Sequence, residues 1–151
     1  MKRWFCCLLG TGWLVSCGTP PVLEVRPTHL RSIQLEDIDD APMVRGEQQR
    51  LLHGAIGIRE QEQRLGHYYV IEWNDDQVGE PVKVKFEYQQ GGTGSKVKVQ
   101  QADFGPSETS GRAEFRIIGQ DYLKGGRVLA WRCTLTRGGR EIASRRSYLW
   151  Q

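Results

Sequence analysis

The sequence predicts an all-β domain, an antiparallel β-sandwich reached through an N-terminal leader and a tether. Two observations carry that prediction. Apolar and polar residues alternate with period two from His67 onward, and clusters of Gly, Pro, Asn and Asp interrupt the alternation at short intervals. The third observation is an exclusion, since no stretch sustains helical spacing for the length of a persuasive long helix.

His67 to Trp73 places His67, Tyr69, Ile71 and Trp73 on one face and Tyr68, Val70 and Glu72 on the other, and Asn74, Asp75 and Asp76 supply the turn. In the next strand Val82, Val84, Phe86 and Tyr88 oppose Lys83, Lys85 and Glu87, the pattern of a sheet with one face in the core and one in water. Gly91 to Gly94 turns the chain, and Val97 and Val99 then alternate with Lys96 and Lys98. Pro106 to Gly111 is a polar loop, after which Ala113, Phe115 and Ile117 form an inner face. Val84, Phe86, Phe115 and Trp131 are expected in the core.

The C-terminal hairpin has an internal check. Gly138 and Gly139 as a two-residue turn suit the primed geometries that match strand twist. Leu135 then faces Ile142, Cys133 faces Ser144, Trp131 faces Arg146 and Leu129 faces Tyr148. Arg146 is positioned to lie over Trp131, and Arg132 falls opposite Arg145. A one-residue slip would invert every side chain, so a fixed register is expected.

Upstream the pattern is ambiguous. Leu51, Leu52, Ala55 and Ile56 fit helical spacing, yet Gly54 and Gly57 interrupt it, and Leu52, Ile56 and Ile58 also share one face of a strand. A strand near Arg50 to Ile58 is the expectation, with a short helix over Gly46 to His53 as the alternative. Six or seven strands in about ninety residues resemble an immunoglobulin or fibronectin type III sandwich. That resemblance rests on strand number and spacing. The paired cysteines of true immunoglobulin domains are absent, so it carries no functional residue across.

The first residues read as an address. Lys2 and Arg3 precede an uncharged run from Trp4 to Val15, which is shorter than the ~20 residues of a spanning helix and so has the layout of an export signal. Leu14, Val15, Ser16 and Cys17 resemble the lipobox of bacterial lipoproteins. The resemblance implies cleavage before Cys17, with N-palmitoyl and S-diacylglycerol groups on that residue. Gly18, where a retention signal would place Asp, implies sorting to the outer membrane.

This divides the chain into a signal peptide (1–16), a lipidated N-terminus and tether (17–43) and a sandwich domain (44–151). Prolines at 20, 21, 27 and 42 and the acidic run Glu36, Asp37, Asp39 and Asp40 suit an extended linker. Val22, Leu23, Val25, Leu30, Ile33, Leu35 and Ile38 leave room for one short strand there. Removing Lys2 and Arg3 with the signal takes the formal charge from +3 to +1, so the basic balance is poor evidence for a nucleic-acid partner, and none is expected. Cys6 and Cys7 leave with the signal, so Cys133 alone remains a thiol and no intramolecular disulfide is expected.

No set of residues points to catalysis, a metal or a cofactor. His29, His53 and His67 lack metal-ligand spacing, GxSxG is missing, and Gly92 to Lys96 lacks the spacing of a phosphate loop. Asp37, Asp39 and Asp40 lack the glycine and distal Glu of a calcium loop. Cys133 reads as a core residue. Lys83, Lys85, Lys96, Lys98, Arg140, Arg145 and Arg146, with Arg137 beside them, are the candidate binding surface, although alternating lysines usually form a solvated face that guards against edge pairing. Tyr68 and Trp150 are further candidates. The expected function is a non-enzymatic, membrane-anchored envelope lipoprotein that binds an envelope protein as scaffold or accessory module. A module for a small ligand or cell-wall glycan is the alternative.

Overall fold

The computed structural model describes residues 21–33 and 42–151. The expected signal peptide, the expected lipidation site Cys17, Gly18 and the acidic run Glu36 to Asp40 lie outside the described residues. Strands β1 (Leu23–Leu30), β2 (Gly66–Asn74) and β5 (Ser110–Ile118) form one sheet in the order β1-β2-β5. Strands β3 (Val82–Gln90), β4 (Val97–Phe104), β6 (Val128–Arg137) and β7 (Arg140–Arg146) form the other, in the order β4-β3-β6-β7. Every pairing is antiparallel. Helices α1 (Pro42–Leu52), α2 (Ile58–Glu62) and α3 (Gly119–Gly125) occupy the connections.

The core follows from the alternation. Tyr69, Ile71 and Trp73 of β2 meet Val82, Val84, Phe86 and Tyr88 of β3, with Leu23, Phe115, Ile117, Cys133 and Leu135 completing the layer. Phe86 is its centre, 4.5 Å from the ring of Tyr69 and 5.5 Å from that of Phe115. Val84, Phe86 and Phe115 are buried as expected, and Trp131 is partly buried against the same cluster. Side chains stitch the two sheets at both sides: Arg145 Nε donates to the Leu23 carbonyl at 3.1 Å, and Gln100 Nε2 to the Arg116 carbonyl at 3.2 Å.

Four expectations change. Leu23–Leu30 is no tether but a full strand paired with β2 over its whole length, so the sandwich starts well before Val44. Its Leu23 and Leu30 are both buried, which decides the matter for a strand of otherwise mixed character. The segment after Pro42 is the helix, not the strand. Leu51 and Leu52 bury against Leu30 and Tyr68, and Arg64 Nη1 donates to the Leu51 and His53 carbonyls at 3.0 and 2.7 Å, satisfying acceptors that the helix end leaves open. Tertiary burial therefore overrides the helix-weakening Gly46.

The third change is in the hairpin. Gly138 and Gly139 have φ of 56° and 82°, as a primed turn requires. The register then shifts between Leu135 and Thr136, so that Leu135 pairs with Ala143, Cys133 with Arg145 and Arg132 with Arg146. An extra residue at a bulge moves the partners by one without inverting β6. Arg132, not Arg146, makes the cation–aromatic contact, lying 5.2 Å from the ring of Trp150. Last, Tyr68 is buried beneath α1 and is no surface aromatic, while Val97 and Val99 of β4 face solvent.

Candidate functional site

The seven basic residues proposed as a surface do not form one. Lys83 and Lys85 lie on the outer face of β3, where Lys85 joins Arg132 in holding the nearly buried carboxylate of Glu87. The guanidinium of Arg132 donates to Glu87 Oε2 from two nitrogens, at 2.9 and 2.7 Å. Burial opposes ionisation of Glu87, yet the two cations hold its carboxyl below the usual range. Arg146 stands beside Arg132 in the register, Lys98 pairs with Asp121 of α3, Arg145 is spent on the sheet seam, and Arg140 donates to Gln77 near the hairpin turn. Lys96 precedes β4 and is exposed. These charges serve several local pairings.

Arg137 is more deeply committed. Its side chain is 3% exposed, and Nε donates to Asp75 Oδ2 at 2.7 Å, Nη1 to the Glu80 carbonyl at 2.8 Å and Nη2 to the Glu108 carbonyl at 3.0 Å. One planar guanidinium thus ties the β2–β3 and β4–β5 loops to the end of β6. Cys133 is fully buried, and burial pushes its thiol up to about 12, which removes it as a nucleophile.

A cleft of about 810 Å³ lies between α1 and the strands β1 and β2. Its lining includes Pro27, Thr28 and Val70 from the sheet and Met43, Val44 and Gln48 from the helix, with Arg26, Arg50 and Arg112 at its margins. Arg26 is bonded to Glu24 and Glu72, Arg50 to Glu47, and Arg112 lies 3.9 Å from Glu72. Each of the three cations thus has a carboxylate neighbour, and of those carboxylates Glu47 lines the cleft itself. Gln48 is buried with no hydrogen-bond partner for its Oε1, while Met43 is 85% exposed.

At the inner side of the same strands, His29 and His67 are direct cross-strand partners. Their rings stack with centroids 3.8 Å apart and 12° between planes. Tyr122 of α3 covers the pair, its hydroxyl 2.9 Å from His29 Nε2. Arg31 Nε donates to His29 Nδ1, so in the neutral imidazole the proton sits on Nε2 and points at Tyr122. His67 Nε2 is buried with no partner. Burial first, then the Arg31 and Arg127 charges, hold His29 down to about 4; burial, then its stacked partner and the same arginines, do so for His67. Near-parallel rings aim their nitrogens along parallel lines, so the pair as arranged does not converge on a metal. Among the described residues no three His, Cys, Asp or Glu side chains are gathered as metal ligands, and no helix is long and apolar enough to cross a membrane.

Sequence reading located His67 on its strand but placed His29 in a tether and so missed the pair. Both cleft and pair depend on recognising β1, and the only signal was the spacing of Leu23, Val25 and Leu30. No protein family, curated protein or solved structure matches the chain.

Proposed function

We propose that this chain is a lipid-anchored protein of the bacterial envelope whose sandwich is a non-catalytic protein-binding module. The cleft between α1 and β1–β2 carries the reading, because it joins apolar groups to arginines that are paired with carboxylates. That is the composition of a surface that recognises another protein by matched apolar and ionic contacts. The most buried charges, Arg137 with Asp75 and Glu87 with Arg132, are taken up in structural pairs, and the one thiol among the described residues, Cys133, is buried. The strand order supports an immunoglobulin-like or fibronectin-like reading, since it keeps β1, β2 and β5 against a sheet built around β3, β6 and β7. Anchoring and outer-membrane sorting rest on Leu14 to Gly18. With β1 inside the domain, any tether is much shorter than 17–43 and holds the sandwich close to the bilayer.

The alternative, a small-ligand or glycan module, has the unpartnered Gln48 oxygen in its favour, which would accept a hydrogen bond from a ligand. Against it, the cleft lining contains no Phe, Tyr or Trp. A photo-crosslinking side chain placed at Met43 in the full, lipidated protein separates these readings. A protein adduct that disappears with Val70→Arg, and that is not formed from a probe at Lys83, supports the module. Adducts of equal yield from both positions overturn it. Cys17→Ser should abolish incorporation of a palmitate analogue, and labelling that persists refutes the anchor.

A further inference from the structure

We propose that the stacked His29–His67 pair, covered by Tyr122, is an acid-released latch that holds the Leu30 end of β1 and α3 to the sandwich. The inference does not rest on the binding role proposed for the cleft, although His29 also borders that cleft.

The geometry makes protonation costly in a specific way. The two imidazoles touch face to face, so charging both places like charges about 4 Å apart in a water-poor site. Their neighbours offer no relief. Arg31, just past the end of β1, already donates to His29, and Arg127, ahead of β6, adds a second positive charge. On β2 the adjacent titratable group is Tyr69, whose phenol burial keeps neutral. On α3, Tyr122 supplies only a hydroxyl, and the helix's one carboxylate, Asp121, is engaged by Tyr88 and Lys98. Opposite His67 on β5 stands Ile117. Among the described residues no carboxylate acts on either ring.

The sign follows from linkage. Both imidazoles bind protons more weakly folded, at about 4, than the 6.5 of an unperturbed histidine. Their contribution is therefore complete above pH 6.5 and is lost as pH falls from 6.5 towards 4. For His67 the folding constant should drop about thirtyfold between pH 7.5 and pH 5, with less from His29, which solvent reaches. Acid need not unfold the whole domain. β1 is an edge strand of its sheet, paired only with β2, so its His29 end is the least costly part to release.

Hydrogen exchange by mass spectrometry on the full-length protein in detergent, at pH 7.5 and pH 5.0 with intrinsic rates corrected, reads the latch directly. Amides near the Leu30 end of β1 and in α3 should lose at least about tenfold more protection than those of β3 and β6, and the melting temperature should fall by roughly 5–10 °C. His67→Phe, which keeps a ring and removes the titration, should flatten both effects, whereas the exposed His53→Gln should leave them. If His67→Phe does not fold, imidazole chemical shifts of the unaltered protein replace it, and titration of both rings near 6.5 overturns the latch. Equal protection at the two pH values, or equal loss across all strands, also overturns it. So does a rise in melting temperature with Zn²⁺ at pH 7.5 that is lost in His67→Phe, which would make the pair a metal site.

Discussion

Replacing Arg137 by Met tests whether the end of the sandwich opposite the histidines is held by one buried guanidinium. Methionine keeps most of the stem's volume, so the loss comes from polar contacts and not from a cavity. The substitution removes three hydrogen bonds, of 2.7, 2.8 and 3.0 Å, and leaves the Asp75 carboxylate, 10% exposed, without its cation. Breaking a buried pair by removing one partner costs about 3–5 kcal/mol, a large part of the ~5–15 kcal/mol that stabilises a domain. With a urea m-value of about 1.5 kcal/mol/M, the midpoint should fall by about 2–3 M. Asp75→Asn in the same background should recover part of the loss, since it removes the stranded charge. A double-mutant cycle over Arg137→Met and Asp75→Asn should give a coupling of roughly 1–3 kcal/mol. A midpoint shift below about 0.5 M, or strictly additive losses, would refute the clamp.

Gly66→Ala should prevent normal folding, because a Cβ there would sit 2.2 Å from the Ile117 carbonyl oxygen at φ +141°; a soluble variant with an unchanged melting temperature would contradict the β2–β5 register. Cys133 should resist iodoacetamide at pH 8 in the native state and react on denaturation, since burial pushes its thiol up to about 12; rapid native labelling, read by mass, would contradict that burial. Arg145→Ala should increase exchange at the Leu23 end of β1 and cost about 1–2 kcal/mol in urea denaturation, because the edge strand loses its side-chain link to β7.

What the sequence disclosed depended on how far a residue's environment is set by its neighbours in the chain. Val82 to Tyr88 alternates so regularly that face and burial were readable without tertiary knowledge, and so was the Gly138–Gly139 turn. Leu23–Leu30 was harder, because Glu24, Arg26 and Thr28 face the outer side while Pro27 and His29 take inward positions that a core strand normally gives to larger apolar groups. Its strand identity is conferred by β2, which supplies the pairing. Arg137 looked like its exposed neighbour Arg140, and no local pattern distinguishes a guanidinium that three loop groups enclose from one in water. The hairpin bulge was invisible for a similar reason: Ile142 fits an alternating pattern equally well as a paired residue or as the extra one.

The two ends of the sandwich differ in the chemistry that closes them, and this difference gives acid a direction in which to act. At the end where β2 leaves for β3, Arg137 grips two loops, and a guanidinium keeps its charge at any pH a folded protein meets. The neighbouring Leu23 end of β1 is pinned by Arg145 and by the Asn74 N–H bonded to the Val22 carbonyl. At the other end the closing groups are two imidazoles whose neutrality is a condition of their packing. Protonation therefore lifts β1 from Leu30 backwards, against a fixed point at Leu23. Leu51 and Leu52 of α1 rest on Leu30 and Tyr68, so the helix loses part of its seat as that end rises. Pro27, Thr28 and His29 move with the strand, and they are residues of the cleft, so its shape becomes a function of pH even though Arg26, Arg50 and Arg112 stay charged throughout.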